Sequence, residues 1–201
     1  LDVNKTLIIS LYFTGDLLFH TPVIQALRKI YPDSKIDVWV KSRSVEIIDT
    51  NPLVNKVYVF DNVKTAGYRE VTQLDLKGKL EFHRKLRNEK YDLIFDITGK
   101  YSTALFTLFA RPKFSVGINY NYFGFCYDRF VPLYTATETG HLIDKYLSVV
   151  KTGLNLNEIE WNYIRESVLT KPYIYVSEKD KLTIDELLKD KFTVLDIPFI
   201  V

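Results

Sequence analysis

The chain has 201 residues, 47% of them hydrophobic and 26% charged, with a formal net charge of +2. This is an ordinary balance for a globular protein, and it carries too little excess charge to point to nucleic acid as a main partner. One cysteine, Cys126, cannot close an internal disulfide, and three scattered histidines have no zinc-type spacing, so neither a disulfide nor a metal is expected.

No stretch reaches the roughly 18 apolar residues of a membrane-spanning helix, and the start lacks the layout of a signal peptide. A cytoplasmic location is expected. There is no methionine, even at position 1, and the apolar stretch 192–201 ends without a cap or polar tail. Both features are read as a trimmed chain.

Thr6 to Ser10 is a short apolar run suited to a buried strand, followed by a turn at Thr14-Gly15. From Asp16 the spacing of Leu17, Val23, Ile24, Leu27, Ile30 and Tyr31 predicts one face of a helix, with a local irregularity at Pro22. Strand, Gly turn and helix make half of a βαβ unit. Lys35 to Val40 is a second strand, followed by Lys41-Ser42-Arg43-Ser44 and a short helix to about Thr50. Lys56 to Phe60 is a third strand, residues 61–75 a surface loop, and Lys77 to Glu89 a charged helix. Tyr91 to Ile97 is the clearest buried strand, and it breaks at Thr98-Gly99-Lys100 as the first breaks at Thr14-Gly15-Asp16.

A helix from Ser102 to Ala110 and a fifth strand from Phe114 to Ile118 follow. The aromatic segment 119–135 is read as a hairpin burying rings, or as rings for stacking sugars or meeting lipid head groups. His141 to Thr152 is an amphipathic helix with Gly153 as its end signal, and Pro172 to Val176 and Asp180 to Lys189 add a strand and a helix. The alternation predicts an α/β, Rossmann-like, doubly wound parallel sheet.

Gly15-Asp16-Leu17-Leu18-Phe19-His20-Thr21-Pro22, with the helix continuing to Pro32, resembles the opening of the family 9 glycosyltransferases, the ADP-heptose:lipopolysaccharide heptosyltransferases and their relatives. Asn51 to Val57, Tyr91 to Asp96, and the helix from His141 to Gly153 follow in the order the resemblance requires. It implies the acceptor-binding half of a GT-B enzyme, spanning residues 1–190, with 191–201 as a linker or the first strand of a second, donor-binding domain. It implies an inverting, bacterial transferase of lipopolysaccharide biosynthesis. The donor would be a nucleotide-sugar of ADP-heptose type held mainly by the second domain, with no further cofactor. Ser10, Tyr12 and Phe13 stand where heptosyltransferases usually carry an Arg and small hydroxyl residues, so the surroundings of the acid are bulkier and less cationic.

Inverting transfer needs a base within hydrogen-bond reach of the acceptor hydroxyl. The resemblance places that base at Asp16; the alternative is an ordinary helix cap. Thr14 and Gly15 are expected to form the turn where substrate meets backbone, with Gly15 at positive φ. His20, one turn beyond Asp16, is a candidate for orienting carboxylate or acceptor, or else a packed residue. Lys41, Arg43 and Lys100 share the carboxyl edge of the sheet with Asp16 and are candidates for an anionic sugar or glycolipid acceptor, with Arg43 foremost because guanidinium binds carboxylate or phosphate in two prongs. His141 is placed near the cleft by resemblance, or acts as a cap.

Two other functional readings stand beside this one. A dinucleotide-binding oxidoreductase domain lacks its three spaced glycines here. A sugar- or partner-binding module without catalysis is the other. Peripheral contact with a membrane, by aromatics of 119–134 with Arg129 and Lys145, is a further expectation.

Overall fold

The computed structural model describes residues 2–59, 76–118, 122–131, 141–168 and 171–192. In chain order the elements are β1 (Lys5–Ser10), α1 (Thr14–Ile30), β2 (Lys35–Val40), a 3-10 turn (Ser42–Ser44), α2 (Val45–Ile48), β3 (Lys56–Val59), α3 (Leu76–Asn88), β4 (Leu93–Asp96) and α4 (Tyr101–Ala110). There follow β5 (Phe114–Ile118), a 3-10 turn (Gly124–Cys126), β6 (Arg129–Val131), α5 (Leu142–Leu154), α6 (Glu158–Ser167) and α7 (Glu178–Phe192).

The strands form one sheet in the order β3-β2-β1-β4-β5-β6, and every pairing is parallel. Alternate side chains of each strand leave by opposite faces, so both faces need cover. Ile8, Val38, Phe95 and Val116 pack under α1, α5 and α6. Leu7, Ile9, Trp39 and Ile94 pack under Leu86 of α3 and Phe106 of α4. This is the doubly wound arrangement that the alternation of strand and helix predicts. The direction of connection reverses between β1 and β4, and in such sheets ligands bind in the crevice beyond the strand ends at that point.

Several local expectations change. Helix α1 starts at Thr14, two residues before the predicted start, and Gly15 sits inside its first turn rather than in a left-handed turn. Among the described residues the glycine with positive φ is Gly99, at 60°. Pro22 lies inside α1 without ending it. A proline cannot donate to the carbonyl four residues back; here the Thr21 hydroxyl donates to that Leu18 carbonyl at 2.7 Å instead.

Gly153 is not the end of α5. A Cβ there would lie 2.5 Å from Val116 Cγ1, so the glycine lets helix and sheet approach, and Asn155 closes the helix at φ 55°. The segment Pro172 to Val176 is not a strand. It is tied to α1 and to the turn after α2, with Tyr173 N–H donating to Thr21 Oγ1 at 3.3 Å and the Thr50 hydroxyl donating to the Tyr175 carbonyl. Helix α6 was not predicted, although Asn157 and Glu160 carry its start signal. The Asn157 side chain accepts from Glu160 N–H and the Glu160 side chain from Asn157 N–H, both at 2.9 Å. The aromatic segment contributes a parallel edge strand, β6, rather than a hairpin. The expected loop 61–75, the tail 193–201, and residues 119–121 and 132–140 lie outside the described residues.

Candidate active site

The loop from Leu11 to Phe13 leaves the carboxyl end of β1 beside the reversal point. It is stitched to the loop after β4. Leu11 N–H donates to Thr98 Oγ1 at 2.8 Å, the Tyr12 hydroxyl donates to the Thr98 carbonyl at 2.8 Å, and Thr98 Oγ1 donates to the Ile9 carbonyl at 3.3 Å. The second loop is itself held from below. Asp96 is buried and its carboxylate accepts from Thr98 N–H at 2.9 Å, Gly99 N–H at 3.0 Å and the Tyr127 hydroxyl at 2.7 Å. Burial raises the Asp96 carboxyl pKa and the hydrogen bonds oppose that rise. The Tyr127 hydroxyl, buried beside this acid, is also pushed up. Thr98, Asp96 and Tyr127 were not among the predicted site residues; the break of β4 at Thr98-Gly99 was the signal for the first two, while Tyr127, thirty-one positions from Asp96, had none.

Asp16 is half-buried in the first turn of α1. Its Oδ2 accepts from Phe13 N–H at 3.1 Å, which closes the helix start. Among the described residues, Oδ1 accepts no hydrogen bond. The carboxylate therefore does cap the helix, but from the third helical position, with one oxygen committed and the other without a partner among the described residues. Gly15 is exposed and a Cβ there would meet nothing within 4 Å. Thr14 is half-buried, and its hydroxyl donates to the Arg43 carbonyl at 3.3 Å, which ties α1 to the turn after β2.

That turn carries two cations toward Phe13, whose ring is 62% exposed. Arg43 Cζ lies 4.2 Å and Lys41 Nζ 5.6 Å from its centroid. On the other side of the loop Lys100, the residue before α4, sets its Nζ 5.5 Å from the Tyr12 ring. The three predicted cations thus stand on the two loops flanking the β1–α1 connection. Sequence reasoning noted Phe13 only as bulk; its place between the Asp16 helix and the β2 cations makes it part of the site.

His20 lies beneath the site rather than in it. It is fully buried, its Nδ1 is 2.7 Å from Ser10 Oγ, and its ring meets Tyr146 edge-on with centroids 4.2 Å apart. Burial lowers its pKa to about 3, so the imidazole is neutral at ordinary pH. It ties the end of β1 to α1 and to α5, and it cannot touch an acceptor from there. His141 is the N-cap of α5, with Nδ1 accepting from Ile143 N–H at 3.3 Å. No group of three or more His, Cys, Asp or Glu that could hold a metal occurs among the described residues.

A carboxylate with one oxygen outside its cap, at the reversal point of a doubly wound sheet and between two loops that carry cations, marks the candidate site of a Rossmann-like domain. No family model matches the chain. In sequence it is 33% identical over 164 residues to lipopolysaccharide heptosyltransferase 3 of Escherichia coli, a match covering 80% of this chain and 44% of the relative. A protein of the same name from Escherichia coli strain K12 matches at 33% over 141 residues, covering 69% of this chain and 39% of the relative. The chain thus spans less than half the length of these curated relatives. In structure it superposes on a glycosyl transferase family 9 protein from Veillonella parvula with a TM-score of 0.76 at 19% identity, over 96% of this chain and 51% of that one. Against ADP-heptose lps heptosyltransferase II of Escherichia coli the TM-score is 0.66 at 18% identity, with the same coverage. The chain is thus similar in sequence to lipopolysaccharide heptosyltransferases and shares the fold of one half of glycosyltransferase family 9 structures.

Proposed function

We propose that the chain is the acceptor-binding half of an inverting GT-B glycosyltransferase, with Asp16 as its general base. The acceptor hydroxyl gives its proton to the carboxylate as its oxygen attacks the anomeric carbon of a nucleotide-sugar, and the nucleoside diphosphate leaves from the opposite face. The donor is of ADP-heptose type, and a second domain beginning near residue 191 holds most of it. The acceptor is an anionic sugar of the lipopolysaccharide core or a related glycan. Arg43, Lys41 and Lys100 bind its anionic group, and Thr14 and Gly15 shape the wall it passes. The reaction belongs to the cytoplasmic side of a bacterial membrane, with the protein at the membrane periphery. No helix among the described residues is long and apolar enough to cross a membrane.

One observation carries this reading: Asp16, at the carboxyl end of β1, holds its own helix with Oδ2 and leaves Oδ1 without a hydrogen-bond partner among the described residues. The resemblance to heptosyltransferases supports the class of donor and acceptor. Turnover of an ADP-heptose donor by a chain carrying both halves, compared with its Asp16→Asn variant, tests it. Equal turnover in the two would remove the base from Asp16.

A further inference from the structure

Helices α3 and α4 cover one face of the sheet, yet their outward side is neither wholly polar nor closed. A groove of about 800 Å³ runs between them. Its apolar wall includes Leu80, Tyr101, Leu105 and Phe109, of which Leu80 is 61%, Tyr101 63% and Phe109 65% exposed. Its rim carries Lys77, Arg84 and Arg87, all exposed, and none of the three enters an ion pair among the described residues. Helix α3 bears Lys77, Lys79, Arg84, Lys85 and Arg87 against one acid, Glu81.

The apolar surface continues past the groove. Tyr101 meets Phe123 with ring centroids 6.4 Å apart, Phe123 meets Phe125 at 5.9 Å, and Phe125 is 71% exposed. Exposed rings and leucines beside unpaired cations match one kind of partner in both chemistry and sign. Rings sit at head-group depth, and Lys and Arg are drawn to anionic lipid.

We infer that the α3–α4 face is the surface by which the protein docks on an anionic phospholipid bilayer, with Leu80, Tyr101 and Phe109 entering the interface and Lys77, Arg84 and Arg87 meeting head-group phosphates. This inference names the surface for the peripheral contact proposed above. Its position bears on the site as well. Tyr101 follows Lys100 directly, and Lys100 lies against the Tyr12 ring, so a membrane against α4 would lie beside one flank of the β1–α1 loop. The inference rests on the charge of α3 and does not draw on Arg129 or Lys145.

The test is co-sedimentation of the 201-residue chain with vesicles of phosphatidylcholine alone, and of phosphatidylcholine with about a third phosphatidylglycerol. Binding is expected on the anionic vesicles and to fall as salt rises. Arg84→Gln with Arg87→Gln should weaken it by about fivefold for each charge removed. Leu80→Ser with Phe109→Ser should weaken it at least about tenfold. All four side chains are exposed, and an unchanged circular dichroism spectrum and melting temperature confirm folded variants.

Three results would overturn the inference. The wild type could ignore anionic vesicles. The serine variant could bind them as the wild type does, which makes the face a phosphate patch without insertion. Or sedimentation velocity could show a dimer that Phe109→Ser dissociates, which gives the face to a second copy. Sugar transfer is not read in any arm, so the outcome leaves the Asp16 assignment where it stood.

Discussion

Arg43 places its guanidinium carbon 4.2 Å from the centre of the Phe13 ring, and Phe13 is the residue whose N–H holds the Asp16 carboxylate. The turn after β2 is thereby coupled to the acid at the start of α1 through the Phe13 ring, beside the Thr14 hydroxyl that donates to the Arg43 carbonyl. A cation bound to an exposed ring keeps its position without an acidic partner, which leaves its donors available to an anion.

Asp16 itself is tested by two substitutions with different structural costs. Asn retains an oxygen for the Phe13 N–H, while Ala does not. Asp16→Asn should therefore leave the urea midpoint unchanged and lower kcat about 10²–10⁴-fold. Asp16→Ala should lose the same activity and also about 1 kcal/mol of stability. Kinetics and urea unfolding of both variants, in a chain with both halves, separate base from cap.

Arg43 is expected to act on acceptor binding. Arg43→Ala should raise the acceptor KM with kcat little changed, and Arg43→Lys should restore it poorly, because the planar fork is lost. Phe13→Ala should raise KM in the same direction while costing the fold little, since the ring is mostly exposed. Steady-state kinetics with a phosphorylated acceptor and its dephosphorylated form check whether the effect follows the anion.

Gly15 separates substrate approach from backbone need. It lies in a helix, without positive φ, and a Cβ meets open space. Gly15→Ala should therefore stabilise the protein by about 0.4–1 kcal/mol. If acceptor passes this point, the added methyl raises its KM at the same time. A stabilised variant with unchanged KM would take Gly15 out of the binding surface.

His20 makes stability depend on mild acid. Its folded pKa is about 3, against an ordinary 6.5 in the unfolded chain, because burial disfavours the imidazolium. Between these values the unfolded chain binds more protons, so this stabilisation is full above pH 6.5 and is lost as pH falls toward 3. From pH 7.5 to 5 the loss from this group is about 2 kcal/mol. Urea unfolding across that range should show the slope in the wild type and a shallower one in His20→Gln.

Tyr127 supports the Lys100 loop from a distance. Tyr127→Phe leaves buried Asp96 with one donor fewer and should cost about 1–3 kcal/mol. Gly117→Ala acts on the same contact, since its Cβ would fall 2.3 Å from the Tyr127 ring. Both should lower the melting temperature, and both should loosen the Gly99–Lys100 turn, seen as faster amide exchange at those residues.

Local residue patterns were enough for the doubly wound class and for most of the elements up to β5. The run of Ile8 and Ile9, the alternation at Lys35 to Val40 and the helical spacing after Leu17 each reflect which side chains a local backbone geometry can bury together. Those preferences act within a few residues and are legible there. The resemblance in Gly15 to Pro32 was legible for the same reason, and the strand ends of a parallel sheet put Asp16, Lys41, Arg43 and Lys100 at one sheet edge. What surrounds them follows from the packing of the whole sheet. The strand order sets the β2 turn on one side of the β1 loop and the β4 turn on the other, so Arg43 meets Phe13 while Lys100 meets Tyr12. Packing of α1 against α5 buried His20, whose local spacing equally allowed a place facing the ligand. A β1-to-β4 stitch or an Asp96–Tyr127 bond joins positions whose separation in the chain carries no periodic signal, because distant segments meet through the packing of the whole sheet and not through any rule of local backbone geometry.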